Sequence, residues 1–296
     1  MKTISHDQSR RNSIRRKRKV RARQRKGRRS GAGRKPVFGA DRVHYEIGAR
    51  INAMSFGGMG AIRRLVSKLG LAREIDGRLE LLKRHLPYHE SDHVLNIAYN
   101  LLCGGSRLED LGSLRHNVAY MDALDAEVIP SPTAAGDFTR RFAEADVIEL
   151  MECINAVRLR LWRGRGRELL GPVAYIDVDG TPATTLGKKK GGMDMAYKGV
   201  WGYHPLVVSL ANTGEVPYLV NRPGNAVSHR GAAEWIDRAV TLVAPHAERV
   251  CVRGDTDFSL TVNFDRWSEE ADFIFGYDAQ PAIVARAEAL EEGVWK

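Results

Sequence analysis

The amino-acid sequence predicts an α/β (α+β) protein in which a mixed sheet follows an all-α region and a disordered basic tail. Three observations carry this prediction. Residues 1–36 hold 16 of the 46 Lys and Arg and a single acid, Asp7, so the tail carries +15 and the remaining chain −5. From about residue 58 to 164 the apolar residues recur with a helical period, and at Gly171-Pro172 the period changes to that of a strand. Beyond that point strand and helix patterns alternate.

The tail, with Arg15-Arg16-Lys17-Arg18-Lys19 at its centre, has almost nothing apolar to bury and reads as disordered when alone. A polyanion is its natural partner, since each neutralised phosphate releases counterions. Gly31-Ala32-Gly33-Arg34-Lys35-Pro36 closes it as a linker. The expected division is therefore a basic tail over 1–36, a helical region over 37–168 and a mixed-sheet region over 169–296.

In the helical region, Ser91 is placed to cap a helix with Val94, Ile97, Ala98, Leu101 and Leu102 on its apolar face. Pro130-Ser131-Pro132-Thr133 opens a short helix carrying Phe138 and Phe142, with Arg140 and Arg141 on its surface. Asp146 is placed to cap a third helix that buries Val147, Leu150, Met151, Ile154, Val157 and Leu161. The second half begins with a strand from Val173 to Asp179. Asn212-Thr213-Gly214-Glu215 turns a hairpin between Leu206–Ala211 and Val216–Asn221. A helix over Ala232–Val243 turns Trp235, Ile236, Ala239, Val240 and Val243 inward. A strand at Arg249–Val252, a helix over 259–267, a strand at Phe273–Tyr277 and a helix over 281–292 follow. This β-β-β-α-β-α-β-α order, antiparallel first and parallel later, occurs in the ribonuclease-H-like fold.

Some classes are excluded. No apolar segment follows Arg10-Arg11, so these arginines do not start an export signal. No run approaches the roughly 18 apolar residues of a membrane span. Cys103, Cys153 and Cys251 are isolated and read as buried thiols of a cytoplasmic protein, not as a disulfide or zinc framework.

Two aspartates close predicted strands 76 positions apart: Asp179 in Ile176-Asp177-Val178-Asp179-Gly180-Thr181, and Asp255 in Arg253-Gly254-Asp255-Thr256-Asp257. Asp177 and Asp179 share a strand face, with Ile176 and Val178 on the other. Three readings stand. Asp177-Val178-Asp179-Gly180-Thr181 is similar to the first motif of haloacid-dehalogenase-type phosphatases, where Asp177 would be the nucleophile. That family holds its phosphoryl group with a lysine before the late acidic motif, yet 199–295 contains no lysine. A strand-end Asp can also simply cap a turn. The third reading is a metal-dependent polynucleotidyl transferase, in which paired carboxylates seat Mg²⁺ or Mn²⁺.

A series of motifs in order resembles bacterial insertion-sequence transposases of the group 1 DDE domain over about residues 40–296. The series comprises Tyr88-His89-Glu90-Ser91-Asp92-His93, Leu102-Cys103-Gly104-Gly105, Ile129-Pro130-Ser131-Pro132-Thr133 and Asp177-Val178-Asp179-Gly180-Thr181. It continues with Gly202-Tyr203-His204-Pro205, Arg222-Pro223-Gly224-Asn225 and Arg253-Gly254-Asp255-Thr256-Asp257. The resemblance implies a helical DNA-binding region over 37–168 and a partial ribonuclease-H-like catalytic core over 169–296, with Asp179 and Asp255 as catalytic metal ligands and Asp177 and Asp257 in support. It implies two divalent ions in the complete protein and a homodimer on paired DNA ends. The partners would be terminal inverted repeats and target DNA. The family's third acid is a helical Glu beyond a β-rich insertion, so the resemblance implies a chain truncated before that residue. A DNA-binding remnant without chemistry is the alternative. Lys188, Lys189 and Lys190 on a glycine-flanked loop, together with Arg222, Arg230, Arg140 and Arg141, are the expected DNA contacts.

Overall fold

The computed structural model describes residues 54–294 except 86, 186, 188, 189, 197 and 198. The basic tail, Lys188 and Lys189 lie outside the described residues. Helices α1 (Met59–Leu69), α2 (Leu71–Asp76), α3 (Glu90–Leu102), α4 (Leu111–His116) and α5 (Val118–Ala123) come first. They are followed by α6 (Pro132–Thr139), α7 (Glu144–Trp162) and α8 (Gly166–Leu170).

Two of the expected helix faces are rotated. Helix α3 starts one residue before Ser91, and it turns Ser91, His93, Leu95, Asn96, Tyr99 and Asn100 inward. Leu101 and Leu102, expected inside, are 61% and 59% exposed. The inner face is polar because its neighbours are loops whose backbone needs partners. Asn96 Nδ2 donates to Pro130 O at 3.2 Å, and Asn100 Nδ2 to Arg107 O at 2.9 Å. Ser91 does not cap α3; its N and Oγ donate to Asp76 at 2.8 and 2.9 Å, which ties α3 to the end of α2.

In α7 likewise, Asp146 stands inside the first turn and accepts from Ala143 N at 2.8 Å. Val147, Ile154 and Leu161 are exposed, whereas Cys153, Asn155, Val157, Arg158 and Trp162 are buried. The buried Arg158 crosses to the sheet, donating to Glu215 at 3.1 Å and to Val216 O at 3.2 Å. Phe138 of α6 is buried as expected and stacks on His93 with 4.5 Å between centroids.

The second half contains β1 (Val173–Gly180), β2 (Ala183–Thr184), β3 (Asp194–Met195), β4 (Trp201–Tyr203), β5 (Leu206–Leu210) and β6 (Glu215–Val220). Helix α9 (Ala232–Val243), β7 (Arg249–Gly254), α10 (Phe264–Ser268), β8 (Asp272–Phe275) and α11 (Pro281–Glu288) complete it. The main sheet has the order β6-β5-β1-β7-β8. β5 is antiparallel to both β1 and β6, while β7 is parallel to both β1 and β8. The antiparallel start, the hairpin and the parallel continuation are as the sequence pattern predicts, and the arrangement is consistent with the ribonuclease-H-like fold. The pattern did not predict β2, β3 and β4, which form a separate small sheet of order β2-β4-β3. These strands have two or three residues each, too few to show an alternation.

β1 is central because it is apolar on one face. Ala174, Ile176 and Val178 are buried with Leu206, Val208 and Leu210 of β5 and with Val250 and Val252 of β7. Helix α9 covers them with Trp235, Ile236, Ala239, Val240 and Val243, the face its spacing predicts. Ile236→Ala should therefore destabilise the protein by about 2–5 kcal/mol through cavity formation. Leu101→Ala, on the exposed side of α3, should stay within about 0.5 kcal/mol of the parent. Chemical denaturation of both variants checks the pair, and equal losses would contradict the rotated face of α3.

Candidate functional site

The register of the two central strands brings the distant aspartates together. β1 and β7 run parallel with Val178 opposite Gly254, so Asp179 and Asp255 follow side by side at the same end of adjacent strands. Neighbouring strands are about 4.8 Å apart. Both residues are exposed and line one cavity of about 640 Å³. Gly180, His204, Asn225, Ser228 and Asp257 contribute to the same wall. Ala196 and Val200, linked by a 2.8 Å backbone hydrogen bond, close it from the small sheet.

The three carboxylates differ from Asp177 in how they are used. Among the described residues, no hydrogen bond or ion pair engages the side chains of Asp179 or Asp257. Asp255 caps the turn Thr256–Phe258, its Oδ1 accepting from Asp257 N at 3.0 Å. The turn-capping role that its position suggested is thus real, and it occupies only one carboxylate oxygen. Asp177 lies opposite Arg253 in the β1–β7 register and binds it through both oxygens, at 2.6 and 2.9 Å. The guanidinium also lies over the Tyr175 ring at 4.7 Å. The hydrogen bonds to Asp177 hold the Arg253 pKa above its ordinary value. A carboxylate held by both oxygens is a poor nucleophile and a poor metal ligand. Asp177 is not among the residues that line the cavity.

His204 and Gly180 line the cavity, and Arg222 lies buried against them. His204 Nδ1 is 2.8 Å from Ala226 O, and the His204 and Arg222 backbones are joined by a 3.0 Å hydrogen bond. Arg222 is 8% exposed, and its Nη1 donates to Ser228 O at 2.7 Å and Arg230 O at 2.9 Å. Burial, then the nearby Arg230 charge, lowers its pKa. Arg222, one of the expected DNA contacts, is buried, and its guanidinium bonds to carbonyls of the loop 222–230 from inside. A Cβ at Gly180 would lie 2.6 Å from His204 Cε1 and 3.2 Å from Arg222 Nη2, so only glycine fits.

The other expected DNA contacts are placed variously. Arg230 is exposed at the end of the cavity loop. Lys190 is exposed, and its Nζ donates to Thr185 Oγ1 at 3.0 Å. Arg140 pairs with Asp137 at 2.8 Å, and Arg141 donates to Leu81 O at 3.4 Å, both on the helical region.

The motifs Asp179-Gly180, His204, Gly224-Asn225 and Asp255-Thr256-Asp257, scattered through the sequence, all meet at this one cavity. A family model described as transposase DDE domain group 1 matches residues 45–296. The chain belongs to the group 1 DDE transposase family. No curated protein and no solved structure matches it. Membership makes DNA the partner class, and DDE transposases generally use divalent metal ions. Among the described residues, no helix is long and apolar enough to cross a membrane. The phosphatase reading gains no support, because its would-be nucleophile Asp177 is engaged by Arg253.

His204 and Asn225 are visible in the sequence only as members of motifs, and the bond of Arg253 to Asp177 is not itself visible there. The available signal for Arg253 was its place in a predicted parallel partner strand opposite a carboxylate.

Gly180→Ala should cost about 1–3 kcal/mol by forcing the His204 ring aside. Thermal melting and chemical denaturation check this, and a variant as stable as the parent would show that there is room beside Gly180.

Proposed function

We propose that Asp179 and Asp255 are the catalytic acids of a DDE transposase acting on DNA in the cytoplasm. The reaction would be phosphodiester hydrolysis at insertion-sequence ends, followed by joining of the freed 3′-OH to target DNA. The observation that supports this best is the placement of two carboxylates, with no carboxylate–cation pair between them among the described residues, at adjacent strand ends in one open cavity.

The donor set fits a hard divalent cation. Asp179 offers a free carboxylate, Asp255 one oxygen not used by its cap, and the open cavity leaves room for water. Mg²⁺ or Mn²⁺, two ions in the full assembly, would supply Lewis-acid stabilisation of the attacking and leaving oxygens.

The protein's own residues do the rest. The cavity admits a scissile phosphate at the carboxylate edge of the sheet. Arg230 on the cavity loop, and Lys190 on the loop between β2 and β3, supply exposed positive charge for flanking phosphates. Lys188 and Lys189 extend that basic loop in the sequence. Asp177 and Arg253 lock β1 to β7 and so hold the spacing of the two acids; Asp257 adds negative charge beside them. The helical region and the basic tail would position the terminal repeats, with Arg140 and Arg141 as surface contacts. A homodimer on paired ends would bring two such sites to the target.

Cleavage of terminal-repeat DNA with Mg²⁺ or Mn²⁺ tests this reading. Asp179→Ala and Asp255→Ala should each lower the rate by at least about 10³-fold, the scale on which electrostatic transition-state contacts act, while leaving DNA binding intact. Asp177→Asn should lower activity less and should also reduce stability. A fully active Asp179→Ala, Asp177→Ala double variant would overturn the site. DNA bound tightly by the unaltered chain, with no strand cleavage under any divalent ion, would instead establish the non-catalytic remnant.

Deleting residues 1–36 should weaken DNA binding and flatten its salt dependence, because up to 15 net positive charges leave the complex. Filter-binding titrations across ionic strength measure the slope, and an unchanged slope would rule out the tail as a DNA-binding arm.

A further inference from the structure

Far from the aspartate cavity in sequence, His85, His89 and Glu90 stand together where the loop after α2 enters α3. Among the described residues this is the one group of three or more His, Cys, Asp or Glu whose donor atoms all lie within 4.8 Å of one another. Glu90 is 1% exposed, and its two oxygens have different duties. Oε1 accepts from Leu81 N at 3.0 Å and from Leu82 N at 2.9 Å. Oε2 faces His85 Nε2 at 3.1 Å, and the same nitrogen is 3.4 Å from Oε1. The imidazoles of His85 and His89 are parallel, 5.0 Å apart and inclined by 6°, and both are exposed to solvent.

A plain ion pair between His85 and Glu90 accounts for one of these contacts. It does not account for a fully buried carboxylate set within reach of two exposed imidazoles, their donor atoms all within 4.8 Å of one another. Ligation of one ion accounts for the grouping once the exposed rings turn out of their stack, so that a nitrogen of each converges with Glu90 Oε2. The backbone N–H groups on Oε1 act as the outer hydrogen bonds that orient a ligating carboxylate.

We infer that His85, His89 and Glu90 form a second metal site, selective for Zn²⁺ or a similar late first-row divalent ion. The donor set of two nitrogens and one oxygen suits such ions. Mg²⁺ is disfavoured, because it takes oxygen donors almost exclusively. At zinc–ligand distances of about 2.0–2.1 Å, tetrahedral ligands stand about 3.4 Å apart. Rotation of the two exposed imidazoles covers the difference. Solvent exposure leaves the fourth position to water. The bound ion would fasten His85 and His89 to the first turn of α3 by side chains, beside the bonds that Glu90 already makes to the Leu81 and Leu82 backbone. This site does not depend on the assignment of Asp179 and Asp255, and its ligand chemistry differs from theirs.

The test uses the untagged full chain after metal removal with a chelator. Co²⁺ titration followed by absorption should give the d–d bands of four-coordinate cobalt, saturating at one ion per chain and displaced by Zn²⁺. His85→Gln and His89→Gln should each weaken binding at least tenfold, and the double variant should lose the bands. Asp179→Ala and Asp255→Ala should leave them unchanged, which separates this site from the cavity. Zn²⁺ should raise the Tm of the parent and not that of the double variant. Parent protein without cobalt bands, or a folded double variant that binds as tightly as the parent, would overturn the site. If the double glutamine variant fails to fold, His85→Ala alone serves, because His85 lies outside every helix and its side chain is 50% exposed.

Discussion

Everything at the cavity depends on the parallel pairing of β1 with β7. Asp179 and Asp255 are 76 positions apart in the chain and become neighbours only through this ladder. Its register is fixed twice. On the buried face, Ile176 and Val178 meet Val252 and the rest of the core; a slip of one residue would turn Asp179 into the core and Val178 into water. On the open face, the two-pronged bond between Asp177 and Arg253 exists in the same register alone. Apolar burial supplies most of the energy, and the ion pair, half-exposed, contributes mainly by excluding the alternatives.

The two halves of the molecule reach stability by partly different routes. The sheet and α9 enclose an apolar core of the ordinary kind. The helical half has apolar clusters of its own, one of them around Leu95, Tyr99, Tyr120 and Leu124, and in addition buries Ser91, Asn96 and Asn100 along one helix, where they bond to loop carbonyls and to Asp76. Such contacts add little net energy each, yet losing one partner leaves the other unsatisfied. Arg158 joins the halves, since its guanidinium reaches both Glu215 and Val216 O of β6.

The legibility of the sequence follows the same division. Elements whose burial is apolar were readable: α9, the β5–β6 hairpin and the order of the mixed sheet all show the spacing their packing requires. Where burial is polar, the apolar pattern misleads. The faces of α3 and α7 were read from Leu101, Leu102, Val147 and Ile154, which prove exposed, because a hydropathy pattern cannot tell that an Asn or Arg will find a carbonyl inside. The pair Asp179 and Asp255 was legible as strand ends. Their companions were less so: the role of Arg253 depends on register, and Arg222 looked like a surface cation because nothing local in Arg222-Pro223-Gly224-Asn225 reveals that loop 222–230 folds around it.

That arginine has a consequence for the field inside the cavity. Among the described residues no carboxylate pairs with its guanidinium and Nη2 has no partner; His204, Val227, Ser228 and Arg230 offer it carbonyl oxygens. A permanent cation is thus embedded in low-dielectric surroundings against Gly180, one residue from Asp179. Viewed from the solvent, the cavity is a cluster of acids that should repel a nucleic-acid strand. Viewed from the backbone, it has a positive counterweight built into its rear wall, which moderates the repulsion without occupying the space in front of the acids. A neutral residue at position 222 would leave that wall uncharged and the cavity more hostile to a polyanion, even with every carboxylate in place.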